Sequence, residues 1–346
     1  MRTLLTLPLL LTAFALGCPR TPKPAPPSSQ PAQPAPAVKA EPAPAEPVGD
    51  GPFAYDPSVP LTVRKRLVTP DKAEPGAPLD GRYELTQVEF QFASGPARGW
   101  LTVPRAGTPP YPAVLLLHGH GSNATAITAA LAPRCATKGL ATLSVDLSLA
   151  PARGVAPGEP APPSILIGTV VSLRQVQDFI AATEELNDGQ RGAFGYGTGA
   201  YLGGLLTGHD VRIDALVMAA PAGFGYPPTA IPAEPPEMAA ARTGFAFDPS
   251  MDLSDASPSV LGGTLGDSSG QEPLAVALRR EPVRPVMVLG GRQDWTNAAT
   301  LPRFVQDLGP ETVRWYDAGH RLPGEALDDA VGWLAEKLAG PAPAGR

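Results

Sequence analysis

The sequence predicts an α/β fold: a mostly parallel sheet with helices on both faces. Three observations predict it. Short continuous apolar runs recur along the chain, among them Pro112 to Leu117 (PAVLLL), Leu140 to Val145, Ile213 to Ala219 and Val286 to Leu289. Such runs suit strands buried on both faces. Between them lie stretches with apolar residues at helical spacing, and this alternation is that of βαβ units. Finally, the 346-residue chain is 43% hydrophobic, enough apolar material for one sizeable core.

Taken in order, Tyr83 to Phe92 and Ala97 to Val103 alternate and are partly β-branched or aromatic, so they predict an antiparallel pair that opens the domain. The buried strand at Pro112 to Leu117 follows, then a helix over Ala124 to Thr137 and the strand at Leu140 to Val145. Val171 to Leu186 (VSLRQVQDFIAATEEL) has helical periodicity. Arg191 to Gly195 reads as a short strand running into a Gly-rich helix start. After the strands at Ile213 to Ala219 and Val286 to Leu289, Val313 to Tyr316 is the last strand and Ala326 to Leu338 a closing amphipathic helix. The folded domain is expected over 56–340. Between Ala222 and Glu281 the rhythm breaks into a stretch rich in Pro, Gly, Ser and Met. A long insertion at a strand's C-terminal end usually covers the site, so 222–281 is expected to be a cap, with a decorative loop as the alternative.

The N-terminus reads as an address. Met1-Arg2 is a short positive segment, and Leu4 to Leu16 is an apolar run broken by Pro8, too short to span a bilayer. It ends in Ala15-Leu16-Gly17-Cys18, which resembles the bacterial lipoprotein signal, with Ala15 where leucine is more usual. The resemblance implies a signal peptide over 1–17, lipidation of Cys18 and a place in the cell envelope. Pro19, not aspartate, follows the cysteine, which implies the outer membrane. Plain secretion with an unmodified cysteine is the alternative. Residues 18–55 carry proline every two or three positions and almost no large apolar residue, so they are expected to form an extended tether with a reach on the order of 100 Å.

Charge and cysteine content exclude several classes. The net charge is −6 and no dense Lys/Arg cluster occurs, which argues against a nucleic-acid partner. Two cysteines make no disulfide framework; with Cys18 assigned to the anchor, Cys135 is expected in the core as a small hydrophobe. The four histidines, His118, His120, His209 and His320, have no HExxH-like spacing to carboxylates, so neither a metal nor another cofactor is expected. His209 is expected at the surface end of a helix.

Four local signatures carry the chemistry. His118-Gly119-His120-Gly121-Ser122 follows a buried strand. Gly195-Tyr196-Gly197-Thr198-Gly199 lies between a strand and a helix. Asp294 follows a buried strand in Leu289-Gly290-Gly291-Arg292-Gln293-Asp294. His320 follows the last strand in Asp317-Ala318-Gly319-His320. In their order and surroundings these resemble the α/β-hydrolase superfamily, with dienelactone-hydrolase-like and acyl-esterase-like members nearest. The resemblance runs from about Tyr83 to Leu338. It implies an oxyanion loop with His120 as N–H donor beside Gly121, a nucleophile elbow at 195–199, an acid at Asp294 and a base at His320. His118 reads as structural hydrogen bonding within its loop.

The elbow departs from the pattern at its centre. Where the family has a nucleophilic serine, this chain has Gly197, with no side chain. Shifting the alignment to Thr198 breaks the Gly-x-Nuc-x-Gly spacing and aims the threonine side chain elsewhere. Tyr196 is on the wrong side of the turn for attack. Thr198 and Tyr196 are therefore expected to line the pocket, Thr198 through its N–H, and a conventional serine hydrolase is not expected. Two readings stand: a binding protein for an acyl-, ester- or peptide-like small molecule, or a working hydrolase or lyase in which His320 and Asp294 activate a water, or Thr198 attacks.

Overall fold

A computed structural model describes residues 51–119, 122–146, 163–221, 274–280, 282–294 and 301–340. They fall in the compact unit Pro44–Arg346. The expected signal peptide, Cys18, most of the tether, His120, Gly121 and the insertion apart from 274–280 lie outside the described residues.

Nine strands form one sheet: β1 (Thr62–Val68), β2 (Tyr83–Phe92), β3 (Gly95–Pro104), β4 (Tyr111–Leu117), β5 (Ala141–Val145), β6 (Leu186–Tyr196), β7 (Ala215–Ala219), β8 (Val286–Gly291) and β9 (Thr312–Tyr316). Their order is β1-β2-β3-β5-β4-β6-β7-β8-β9. The first three are antiparallel, and β3 is antiparallel to β5; from β5 to β9 every pairing is parallel. This is the α/β-hydrolase fold, a mostly parallel sheet with a helix on one face or the other after each crossover.

The apolar runs read as two-faced strands divide their side chains by the period of two. In β4, Ala113, Leu115 and Leu117 join the core under α2 (Pro163–Ala181), α3 (Thr198–His209), α4 (Leu274–Leu278) and α5 (Leu301–Leu308). Val114 and Leu116 join the core under α1 (Ala124–Thr137) and α6 (Gly324–Leu338). β7 and β8 divide likewise, so all three strands are apolar throughout. Each such leucine or valine contributes roughly 1.5–3 kcal/mol by leaving water. Cys135 packs in the α1 core, where burial pushes its thiol up to about 12 and leaves it unreactive.

Several expectations need correction. The domain opens with three antiparallel strands, not two: β1, TVRKRLV, pairs only with β2 and keeps Arg64, Lys65 and Arg66 in water. An edge strand that carries charge does not show the apolar signal of a core strand. The helix expected over Val171 to Leu186 runs instead over Pro163–Ala181. After it the chain turns through Thr183 N–H to Ile180 O (3.2 Å) and Leu186 N–H to Thr183 O (3.0 Å), and Leu186 pairs with Tyr111 as the start of β6. Part of the expected tether is packed: Phe53 and Tyr55 are buried against α2 and α3. His209 ends α3 as expected but is half-buried, with its ring 4.5 Å from that of Phe53.

Phe53 and Tyr55 belong to a polar clamp. Arg174 Nη1 donates to Phe53 O at 2.5 Å, and its guanidinium lies 3.5 Å from the buried Asp210 carboxylate. Tyr55 donates its hydroxyl to Asp178 at 2.7 Å. Arg212 donates to Asp210 at 2.6 Å and to the Arg174 carbonyl at 3.0 Å, and it pairs with Asp178. These residues sit where α2 and α3 end and the chain turns back into β6 and β7. The clamp therefore lies at the N-terminal edge of the parallel strands.

Candidate functional site

The C-terminal ends of β4, β6, β8 and β9 meet at the other edge. The strand-to-helix turn after β6 is tight. A Cβ at Gly195 would lie 2.3–2.5 Å from Gly199 and Ala200 backbone atoms, and one at Gly199 would lie 2.2 Å from Leu117 O. Both flanking glycines are required because backbone fills the space of any side chain. Gly197, between them, has φ 54° and ψ −118°, a region that strains any L side chain. Its N–H donates to Ala219 O at 2.9 Å, and its carbonyl accepts from Ala200 N–H at 3.1 Å. The chain keeps the full elbow geometry with no side chain at its tip.

A second glycine pair closes Asp294 against His320. At Gly291, the end of β8, a Cβ would lie 2.1 Å from Gly319 O. That close approach lets the two loops zip together. Arg292 N–H donates to Tyr316 O (2.8 Å), Gln293 N–H to Ala318 O (2.9 Å), and the Gln293 side chain to Asp317 (2.7 Å). The result is His320 Nδ1 donating to Asp294 Oδ2 at 2.9 Å. The Asp294 side chain is fully buried, while that of His320 keeps 23% of its exposure. With the proton held on Nδ1 by the carboxylate, Nε2 of the neutral ring is the basic nitrogen.

Nε2 points at the elbow. A Cβ at Gly197 would lie 3.5 Å from His320 Nε2 and 3.7 Å from Gly119 Cα, both ordinary contacts. The position that lacks a side chain is thus the one that the imidazole faces. Thr198, expected to line the pocket, is the buried first residue of α3, directly after the elbow. His118 is buried, with Nδ1 2.8 Å from Gly119 O. The two remaining oxyanion-loop residues, His120 and Gly121, lie outside the described residues.

Tyr196, expected to line the pocket, has its phenol buried, and it donates to the His320 carbonyl at 2.7 Å and accepts from Leu322 N–H at 3.0 Å. Burial pushes its pKa up, so it remains a hydroxyl donor. The sequence carried no signal for this, because the partner is the backbone of a loop 124 residues away. Among the described residues no group of three or more His, Cys, Asp or Glu is placed to hold a metal ion, and no helix is long and apolar enough to cross a membrane.

Sheet order, elbow and His–Asp pair together define an α/β-hydrolase-fold protein with a glycine at the elbow tip. No protein-family model matches the sequence, and no curated protein does. Among solved structures the chain is similar to the acetyl xylan esterase from Paenibacillus sp. R4, at 18% identity over 81% of this chain and 90% of that one, with a TM-score of 0.57. It is similar also to acetyl xylan esterase 1 from Thermoanaerobacterium sp. JW/SL YS485, at 14% identity over 81% and 89%, with a TM-score of 0.56. A third, 2,6-dihydroxy-pseudo-oxynicotine hydrolase, matches at 17% identity over 73% and 67%, with a TM-score of 0.51. At these identities the likeness is one of fold.

Proposed function

We propose that this protein is an envelope-anchored α/β-hydrolase-fold lipoprotein that binds an acyl- or ester-like small molecule without forming a serine acyl-enzyme. The observation that carries the reading is the gap at position 197. The imidazole of a His–Asp pair faces a backbone position with no side chain, so nothing at the elbow tip can attack a carbonyl. Lipidation at Cys18 would hold the domain at the envelope, and metabolic labelling with a radioactive fatty acid, lost in Cys18→Ala, tests that part.

One observation favours a second reading. Nε2 lies 3.5 Å from where a Cβ at Gly197 would sit, and a water taking the place of that side chain would meet a base already oriented by Asp294. His320 would take the water's proton as its oxygen bonds to the acyl carbon. Collapse of the tetrahedral adduct would break the ester C–O bond, and the imidazolium would return the proton to the leaving alkoxide.

The deciding experiment compares wild type with Gly197→Ser for labelling by a fluorophosphonate probe and for hydrolysis of p-nitrophenyl acetate, with His320→Ala as control. The binding reading expects labelling and turnover only in the serine variant. Turnover by wild type well above background, abolished in His320→Ala, overturns it and supports the activated water. Unlabelled, inactive Gly197→Ser in a folded protein sinks the premise that the rest of the site is assembled.

A further inference from the structure

We propose that Tyr196 is the positioning residue for His320, setting the imidazole's place relative to the elbow as Asp294 sets its tautomer. The inference deepens the reading of the site only in that His320 is the group served; its test needs no turnover.

Asp294 and Tyr196 hold different atoms of His320. Asp294 holds the ring through Nδ1 and fixes rotation about the side-chain bonds, and Arg292 and Gln293 zip the chain that leads up to His320, but none of these contacts holds the chain that leaves it. Tyr196 holds that stretch. Its one hydroxyl bridges two backbone groups, the His320 carbonyl and the Leu322 N–H, and so pins the chain on both sides of Arg321. The phenol ring also stands edge-on to the imidazole, with centroids 5.9 Å apart and planes at 87°. Such T-shaped contacts are favourable and depend on angle.

What makes Tyr196 more than a loop anchor is its place in the chain. It is the last residue of β6, adjacent to Gly197. The elbow tip and the histidine loop are therefore coupled through one side chain and one peptide bond, and the 3.5 Å between a Cβ at position 197 and Nε2 follows from that link. Tyr196 is also held from below: β6 pairs in parallel with β7 as far as Tyr196↔Ala219. A residue fixed by the sheet, bonded to the base's own backbone and in line with the elbow is suited to carry the sheet's rigidity into the site.

The experiment is NMR of the histidine rings in the full chain, comparing wild type, Tyr196→Phe and Asp294→Asn. Wild type is expected to show a downfield Nδ1–H resonance that disappears in Asp294→Asn and assigns it to the His320–Asp294 bond. Tyr196→Phe is expected to shift or broaden that resonance and to move the His320 titration midpoint, while far-UV circular dichroism stays that of wild type. In the Gly197→Ser background, Tyr196→Phe is expected to lower kcat about tenfold with little change in KM, the pattern of lost alignment in the reacting complex. If the His320 resonances and titration are unchanged in folded Tyr196→Phe, the proposal fails, whatever wild type hydrolyses. Should Tyr196→Phe not fold, 3-fluorotyrosine at position 196 keeps the hydroxyl and makes it a stronger donor; an unmoved His320 resonance there overturns the proposal equally.

Discussion

The two edges of the parallel sheet bury polar groups for opposite ends. At the N-terminal edge, Arg174, Asp178, Asp210, Arg212 and Tyr55 form a set in which each charge meets an opposite charge, and Arg174 and Arg212 each turn a further donor onto a backbone carbonyl. At the C-terminal edge, Asp294 and Tyr196 are spent on holding one imidazole, and that imidazole points its basic nitrogen at a glycine. The first arrangement fixes helix ends. The second fixes the place of one imidazole beside the elbow tip. Buried charge alone therefore does not distinguish the two edges; what distinguishes them is whether it is matched within itself or used to hold one imidazole against the strand-to-helix turn.

The largest effect that could break this contrast is at the clamp. Asp210→Ala leaves the buried Arg174 without its carboxylate and should cost about 3–5 kcal/mol in chemical denaturation. In a Gly197→Ser background it should leave fluorophosphonate labelling below the unfolding transition unaltered. A labelling rate that falls with the protein still folded would mean that the two edges are coupled.

Next in size are the elbow glycines. Gly199→Ala drives a Cβ into the Leu117 carbonyl and should cost about 3 kcal/mol or more. Gly197→Ala meets only ordinary contacts and should cost about 1–3 kcal/mol through its backbone conformation alone. Thermal unfolding that ranks Gly197→Ala as the worse of the two would show that the gap is a packing requirement.

The smallest effect sharpens the clamp's side. Burial, with the charges of Arg280 and Arg174, lowers the His209 pKa from its ordinary 6.5 to about 4. The folded state thus favours the neutral ring, to which Arg280 donates at 3.1 Å. Below pH 6.5 the unfolded chain takes up the proton that the folded one refuses. This stabilisation is complete above pH 6.5 and is lost as pH falls toward 4. Because the ring is half-exposed, the loss should be ~1 kcal/mol. Denaturation at pH 4.5 and 7 should show a steeper fall in wild type than in His209→Gln, and equal slopes would place the ring in water.

The legible parts of the sequence were those governed by local rules. Apolar runs such as Pro112 to Leu117 announced the inner strands, and the order of Gly197, Asp294 and His320 after successive strands announced that the three would gather at one edge of the sheet. What stayed hidden depends on distant partners. Tyr196 looked like a pocket residue because its hydroxyl's use is decided by a loop that sequence cannot place beside it. Arg174 interrupts the apolar face of α2, a sign of a buried polar partner, Asp210, that nothing local identified. Gly290-Gly291 reads as a plain turn signal until the His320 loop is seen lying across it.

The clamp also has a mechanical consequence. A pull arriving along the chain at residue 51 meets first the Phe53 ring seated beside His209, then the Arg174 grip on the Phe53 carbonyl, then the Tyr55 hydroxyl on Asp178. All three grips hold to the far ends of α2 and α3, a full strand length from Gly197 and His320. A force large enough to peel residues 51–55 away would strip the domain of its strap while the elbow stayed unloaded. Under such a load the clamp would serve as a strain relief, like the collar where a cable enters a plug.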